Sequence, residues 1–424
     1  MFFLVLLVLI PGSVLMWIRR ASSLDPNGVL IENQKVFYGI LSENMQYKRC
    51  AWLIAAAAEF QSMPLRKSDQ VELNKLRRDY EEWIPKKKNW HPRFIKNLLL
   101  VYCHLSRRSL SAGLVEDQKS LLEKAGSLLE SAVEQGFSQN MHPRMRKTGL
   151  RALTMIIEYA QLITQGMKEH EPSVLMCPHV NDTTVKDITK DKQSVEKLRS
   201  GPLPEKLVKR LNPQQLEDLK AALAYFPRYT VKAEMYVPDV TDSTEGNKDV
   251  AEGDLITIKV SIERLDSESQ PAAGGLVHSP RFAWGKTEKL WLLIGDIALN
   301  RVYYIKKISP VEPFTEDTDF KFLAGSRMPP FGIGAGEHTF DILVKSDSYY
   351  GLDVAERLTF KILPESSVDK KVFVHEDDRK IDNEPTMLQS LIMGGKAEEK
   401  DSDEEELPEL AAGVDPDEDD EDMD

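Results

Sequence analysis

The chain has 424 residues, 42% of them hydrophobic, with three cysteines and a formal net charge of −13. Three sparse thiols exclude a disulfide framework and fit a reducing compartment, and the length allows two or three domains. The charge is localised: residues 398–424 hold sixteen of the 68 carboxylates and one of the 55 basic groups, so everything before them carries 54 cations against 52 anions.

The first element is uncharged from Phe2 to Ile18 and is followed at once by Arg19 and Arg20. As a helix these residues cover roughly 26 Å, close to the ~30 Å hydrocarbon core. Pro11 and Gly12 are tolerated in membrane spans, and Trp17 suits the membrane–water boundary. A cleaved signal peptide carries its positive charge before the apolar run, not after it. Residues 1–20 are therefore expected to form a transmembrane helix, the downstream part of a longer span. The positive-inside rule puts the rest of the chain in the cytosol, with membrane lipids as neighbours. The sequon Asn181-Asp182-Thr183 is then expected to stay unmodified.

Residues 30–167 read as a helical domain. Helices are expected over Val36–Phe60, Ser68–Trp83, Arg93–Leu105, Asp117–Gln135 and Arg144–Leu162. The fourth has Leu121, Leu122, Ala125, Leu128, Leu129, Ala132 and Val133 on one 3.6-period stripe, closed by Gly136. Residues 168–201 are polar and read as a linker. In 202–227 Asn212-Pro213 starts a further helix, a capping residue followed by proline at the first helical position.

Residues 228–364 change pattern. Tyr229–Val237, Leu255–Arg264, Lys289–Ile294, Arg301–Ile308, His338–Lys345 and Leu358–Leu363 are short, β-branched runs separated by turn residues. They predict an antiparallel sandwich of immunoglobulin or fibronectin-III type, the latter favoured because no cysteine pair bridges it. Residues 365–397 read as a polar extension and 398–424 as a disordered acidic tail. The fold class is thus mixed α and β and multidomain: membrane helix, helical bundle region, fibronectin-III-like sandwich, acidic tail.

Catalytic constellations are missing. No phosphate-cradling G-x-x-x-x-G-K-[ST], H-E-x-x-H or G-x-S-x-G occurs in the 424 residues. Gly332, Gly334 and Gly336 precede a strand rather than open a helix, and read as a turn. Cys50 and Cys103 read as core, and Cys177-Pro178-His179 lacks the further ligands of a zinc site. No enzyme activity, metal, cofactor or small-molecule substrate is expected. Lys86, Lys87, Lys88, Arg93, Lys96, Arg107 and Arg108, with Trp83 and Trp90 nearby, could form a cationic patch. On a near-neutral body they read as a surface corner between helices, and nucleic acid is not expected as a partner.

An ordered series of motifs carries a resemblance. Leu53–Arg66 (LIAAAAEFQSMPLR) contains Glu59, Phe60, Pro64 and Arg66; Lys96 precedes a leucine run, and Leu-Ala-Tyr-Phe-Pro ends at Pro227. Glu252-Gly253-Asp254 comes next, followed by Trp291 to Asp296. The series closes on Ser346-Asp347-Ser348-Tyr349-Tyr350-Gly351-Leu352-Asp353. Together, over about residues 30–363, these resemble the Brl-type module. Two families carry it: spliceosomal RNA helicases of the Ski-like class, and the J-domain subunit of the endoplasmic-reticulum translocon, the Sec sixty-three family. A preceding membrane span and an acidic tail are features of the second, and the chain is similar to its C-terminal part, starting within the third span.

The resemblance implies a translocon scaffold in the endoplasmic-reticulum membrane that supports post-translational translocation. It would contact the Sec sixty-one channel through the fibronectin-like domain. It would dock the basic region of Sec sixty-two through the tail, on Asp403, Glu404, Glu405, Glu406, Asp417, Glu418, Asp419, Asp420, Glu421 and Asp422. Ser402, followed by acid at the third position, is a candidate for an acid-directed kinase. In the family a J domain recruits a lumenal Hsp-seventy through His-Pro-Asp. Here only His91-Pro92-Arg93 and His142-Pro143-Arg144 occur, so the resemblance does not extend to that recruitment. The alternative is a soluble RNA-processing cofactor built on the helicase-type module.

Overall fold

In the computed structural model, the described residues are 23–367, apart from 87–89, 143, 146, 189–192, 238–249, 266–274, 311–313 and 326–331. The expected membrane helix, most of the polar extension and the acidic tail lie outside them, as do Ser402 and the ten tail carboxylates. Among the described residues no helix is long and apolar enough to cross a membrane.

The helical part begins with α1 (Asn33–Ile40), α2 (Tyr47–Ala55), α3 (Gln70–Asp79), α4 (Pro92–Leu105), α5 (Ala112–Met141) and α6 (Leu150–Gln165). The single helix expected over Val36–Phe60 is two, broken where Leu41 turns extended (ψ 134°) and Gln46 enters α2 from the extended region. Of the intervening residues, Ser42 and Asn44 are poor helix continuers that favour turns. α5 runs 30 residues, well beyond the expected stripe. Gly136 lies inside it rather than ending it, because a Cβ there would sit 2.7 Å from Leu153 Cδ2 of α6. The glycine permits two helices to approach. α6 ends on Gly166 in the left-handed region (φ 58°), a conformation glycine adopts without Cβ strain.

Residues 168–201 fold onto the same core. A 3₁₀ turn at Ser173–Met176 and α7 (Val195–Arg199) bury Val174, Leu175, Met176, Val195 and Leu198. α8 (Glu205–Arg210) and α9 (Pro213–Tyr225) follow. At the start of α9 the Asn212 side chain accepts from Gln215 N at 2.8 Å, and Gln215 accepts from Asn212 N at 3.0 Å, a complete capping box.

The strands are β1 (Tyr229–Tyr236), β2 (Val250–Ala251), β3 (Leu255–Arg264), β4 (Leu290–Asp296), β5 (Arg301–Ile308), β6 (Thr315–Leu323), β7 (Gly336–Ser346) and β8 (Val354–Leu363). β6 was not legible: Glu316, Asp317 and Asp319 disguise a strand whose inward residues are Thr318, Phe320 and Phe322. One sheet has the order β1-β3-β6, the other β2-β8-β7-β4-β5. Pairing is antiparallel except for the two-residue β2, which runs parallel to β8.

The sheets face one another across a shared core. Ile256, Ile258, Val260 and Ile262 of β3 pack with Leu292 and Ile294 of β4 and Phe340 and Ile342 of β7. The intervening residues of β4, Trp291 and Leu293, belong to the helical core instead. The five-stranded sheet is therefore covered on both faces, which explains why β4 is apolar without alternation. Ion pairs reinforce the helix side: Glu130 of α5 meets Lys289 at 3.0 Å, and Glu134 meets Lys307 of β5 at 3.0 Å.

Candidate functional site

The motif residues gather in two polar clusters. The first organises the helical part. Glu59, in a 3₁₀ turn, accepts from Leu30 N at 2.8 Å and from Asn33 Nδ2 at 3.0 Å and 2.8 Å, while Asn33 Oδ1 accepts from Ala58 N at 2.8 Å. That reciprocal exchange pins the segment before α1. Phe60 is buried in the core, and the Pro64 carbonyl accepts from Lys96 Nζ at 2.6 Å.

Arg66 forks onto Asp117 of α5, with Nη1–Oδ2 at 2.6 Å and Nη2–Oδ1 at 3.1 Å. Lys96 of α4, 1% exposed, donates to the same Asp117 Oδ2 at 2.6 Å and lies 3.6 Å from Asp69. Burial alone would raise the Asp117 carboxyl; the Arg66 fork and the Lys96 ammonium outweigh it and hold the carboxyl below its ordinary range. Two cations and two carboxylates thus close a network that ties the turn before α3 to α4 and α5.

This changes the expected cationic patch. Lys96 is internal, Arg93 Nε donates to Met63 O at 3.0 Å, and Arg108 pairs with Asp79 at 2.7 Å. Arg107 donates to Gly166 O at 3.1 Å and pairs with Glu171. Trp90 stacks on Phe94 at 4.6 Å and Trp83 packs on Tyr102 at 5.3 Å. Lys87 and Lys88 lie outside the described residues. The aromatic faces serve packing, and the described cations other than Lys86 serve intramolecular bonds.

The second cluster lies where the β7–β8 turn meets α6. Asp347 Oδ1 accepts from Lys289 N at 3.0 Å, and its Oδ2 meets Lys286 Nζ at 3.0 Å; Lys286 also reaches Thr164 of α6 at 3.1 Å. Gln161 and Gln165 of α6 bond the turn: Gln161 donates to Ser346 O at 2.6 Å and Asp353 Oδ1 at 2.8 Å, and Gln165 donates to Ser348 O at 2.8 Å. Asp353 also pairs with Lys345, yet burial keeps its carboxyl above the ordinary range. Tyr349 packs edge-on against Phe226, with ring centroids 5.5 Å apart, and its hydroxyl accepts from His278 N at 3.1 Å. Gly351 has φ 75°, and a Cβ there would lie 3.2 Å from Ser173.

Beneath this turn is a residue the sequence did not flag. Glu288, buried, accepts from Tyr229 OH at 2.7 Å and Ser346 Oγ at 2.6 Å. Burial pushes its carboxyl up to about 7. Trp291 is buried against the helices, whereas Asp296 is set apart, accepting from Leu299 N at 2.8 Å in the β4–β5 turn.

The three thiols are buried, and burial pushes Cys103 up to about 11 and Cys177 up to about 12. His91 caps α4 by accepting from Arg93 N at 3.2 Å, and His179 meets Asp218 at 2.9 Å. Among the described residues no group of three or more His, Cys, Asp or Glu could hold a metal ion. Apart from Asp296, the polar motif residues thus join helices to one another and to the sheet through intramolecular bonds.

With that geometry in view, the comparisons are specific. The Sec63 Brl domain profile matches residues 29–359, which contain both clusters. The chain belongs to the Sec63 Brl domain family. It is 27% identical over 327 residues to DnaJ protein ERDJ2A of Arabidopsis thaliana, covering 69% of this chain and 45% of that one. It is also 28% identical over 314 residues to activating signal cointegrator 1 complex subunit 3-like of Dictyostelium discoideum, covering 72% and 13%. The U5 small nuclear ribonucleoprotein 200 kDa helicase of Homo sapiens is 25% identical over 307 residues, covering 71% and 13%. The Sec63 Brl stretch thus spans about half the length of the DnaJ relatives and a small part of the helicase-type ones.

Within this Sec63 Brl domain, the residues missed by sequence reading are Asn33, Asp117, Gln161, Gln165, Lys286 and Glu288. Each is polar and buried or half-buried. A polar residue on an apolar helical stripe, as Gln161 and Gln165 are on α6, was the available signal.

Proposed function

We propose that the chain is a membrane-anchored, non-enzymatic scaffold of the endoplasmic-reticulum translocon, acting in post-translational protein translocation. The observation that carries this reading is the order along the chain. The module matched at 29–359 lies between the apolar Phe2–Ile18 with its two arginines and the acidic residues 398–424. The DnaJ relatives support the reading by sharing this module over nearly half their length. The two-sheet arrangement, three strands facing five, supports a fibronectin-III-like β part.

On this reading the β part contacts the cytosolic side of the Sec sixty-one channel, and the tail docks the basic region of Sec sixty-two. Binding through the tail is weak per residue and falls with ionic strength, since a polyanion offers charge rather than shape. Phosphorylation at Ser402 adds about −1.5 to −2 charges and tightens the grip.

The test is a pull-down from detergent-solubilised membranes with the full chain and with residues 398–424 deleted. Loss of one basic partner while the channel is retained is expected; equal recovery of both refutes the division of labour. A glycan on Asn181 would refute the topology. The helicase-type relatives favour a second reading, a soluble RNA-processing cofactor. Retention in the membrane pellet after alkaline carbonate separates the two: release into the supernatant favours the second.

A further inference from the structure

Away from both polar clusters, α7, the turn at 201–203 and α9 enclose an open groove of ≈ 600 Å³. That volume is within the range of ligand sites. Its floor is apolar, with Leu198, Leu203 and Leu223, and its rim carries Arg199, Lys220 and Arg228. No carboxylate and no aromatic ring is among the described lining residues.

Arg199 is the informative member. One end of its guanidinium is used, Nη2 donating to Phe226 O at 3.0 Å. Its Nε is buried and has no hydrogen-bond partner. Burial, then the like charge of Arg228, push the group down to about 10, against a smaller opposing pull from Glu196. What the groove offers a ligand is the pair of like charges on its rim, Arg199 and Arg228, which a carboxylate would relieve through charge-assisted bonds.

We propose that this groove docks an acidic segment of a partner protein, its carboxylates on Arg199 and Arg228 and its aliphatic side chains on the leucine floor. Charge complementarity selects an anion, and the apolar floor selects one with alkyl side chains. An RNA strand would call for stacking faces, which the described lining residues do not offer. A membrane surface would call for protruding rather than recessed apolar groups. The proposal does not depend on the translocon reading.

The test uses the full chain in detergent and a fluorescein-labelled dodecapeptide of glutamate pairs alternating with leucines. The same peptide with glutamine for glutamate, a single-stranded RNA dodecamer and phosphatidylserine vesicles are run beside it. Lys220→Gln with Arg228→Gln changes only exposed rim residues and leaves the Arg199 bond to Phe226 in place; Arg199→Gln is the second variant. The acidic peptide is expected to bind saturably, more weakly at high salt. At least about tenfold of its affinity should be lost in the rim double variant, as when one partner of a docked charge pair is removed. Equal binding of the glutamine peptide, or unchanged affinity in the double variant and in Arg199→Gln, overturns the proposal. So does binding of RNA or vesicles, rather than peptide, that depends on these residues.

Discussion

Lys96 stands in surroundings that oppose its type: a primary ammonium 1% exposed, between α4 and α5. It is tolerable because Asp117, Asp69 and the Pro64 carbonyl surround it. Removing one partner leaves an uncompensated buried charge, whereas the intact pair contributes little net stability over an apolar replacement. Asp117→Ala is therefore expected to destabilise the protein by about 3–5 kcal/mol in urea unfolding. A loss below about 1 kcal/mol would mean that Asp69 and water suffice to hold Lys96.

Glu288 makes a pH prediction at the same scale. Its folded carboxyl sits at about 7, above the ordinary carboxylate value, because burial favours the neutral acid. The native state therefore binds the extra proton. The stabilisation is fully present below the unfolded pKa, falls as pH rises, and is gone above about 7. Urea unfolding of the native chain minus that of Glu288→Gln, followed from pH 4 to 8.5, isolates the effect. The difference should decline with rising pH by an amount on the order of 2–3 kcal/mol. A flat difference would show that the Tyr229 and Ser346 hydroxyls keep Glu288 ionised.

At the scale of elements, α6 is positioned by a residue 150 positions later in order of contact rather than by its own sequence. Its preceding Gly149 has φ 78° and no side-chain cap. Asn300, in the β4–β5 turn, supplies both: its carbonyl accepts from Leu150 N at 3.4 Å and its Oδ1 accepts from Arg151 N at 2.8 Å. Asn300→Ala should cost about 1 kcal/mol, the usual value of a lost helix cap. Gly149→Ala should cost more, since its Cβ would fall 2.5 Å from Asn300 Nδ2 at a positive φ. If thermal unfolding ranked the two variants the other way, the cap would matter more than the approach.

Gly295 follows the same logic within a strand. The β4–β5 register shifts between Ile294 and Gly295, and a Cβ there would collide with Arg301 O. The glycine marks a bulge where a second backbone and Leu150 of α6 come close.

At the scale of the whole folded body, one apolar core contains residues of the helices and of the five-stranded sheet: Leu128, Ile156 and Ile163 with Trp291, Leu293 and Leu343. The helical and β parts are therefore expected to unfold together. Trp291→Ala, at the centre of that contact, should lower stability by about 3–5 kcal/mol. Far-ultraviolet and near-ultraviolet circular dichroism should show one coincident transition in both proteins. Two separated transitions in the native chain would show that the β part folds independently of the helices.

Periodicity alone determined much of the local structure. The α4 helix, the cap at Asn212 and the strands β3 and β5 follow from patterns confined to a dozen residues, where burial of one face is written as spacing. Composition likewise separated the charged end from the near-neutral remainder. Tertiary structure alone decided what the polar residues are for. Gly136 read as a stop and is a close contact; Lys96 read as surface charge and is internal; β6 went unread because its acids face outward. The physical reason is common to all three. Whether a charge, a glycine or an alternating polar residue is solvated or engaged depends on what lies across from it, and those partners are tens to hundreds of residues away in the chain.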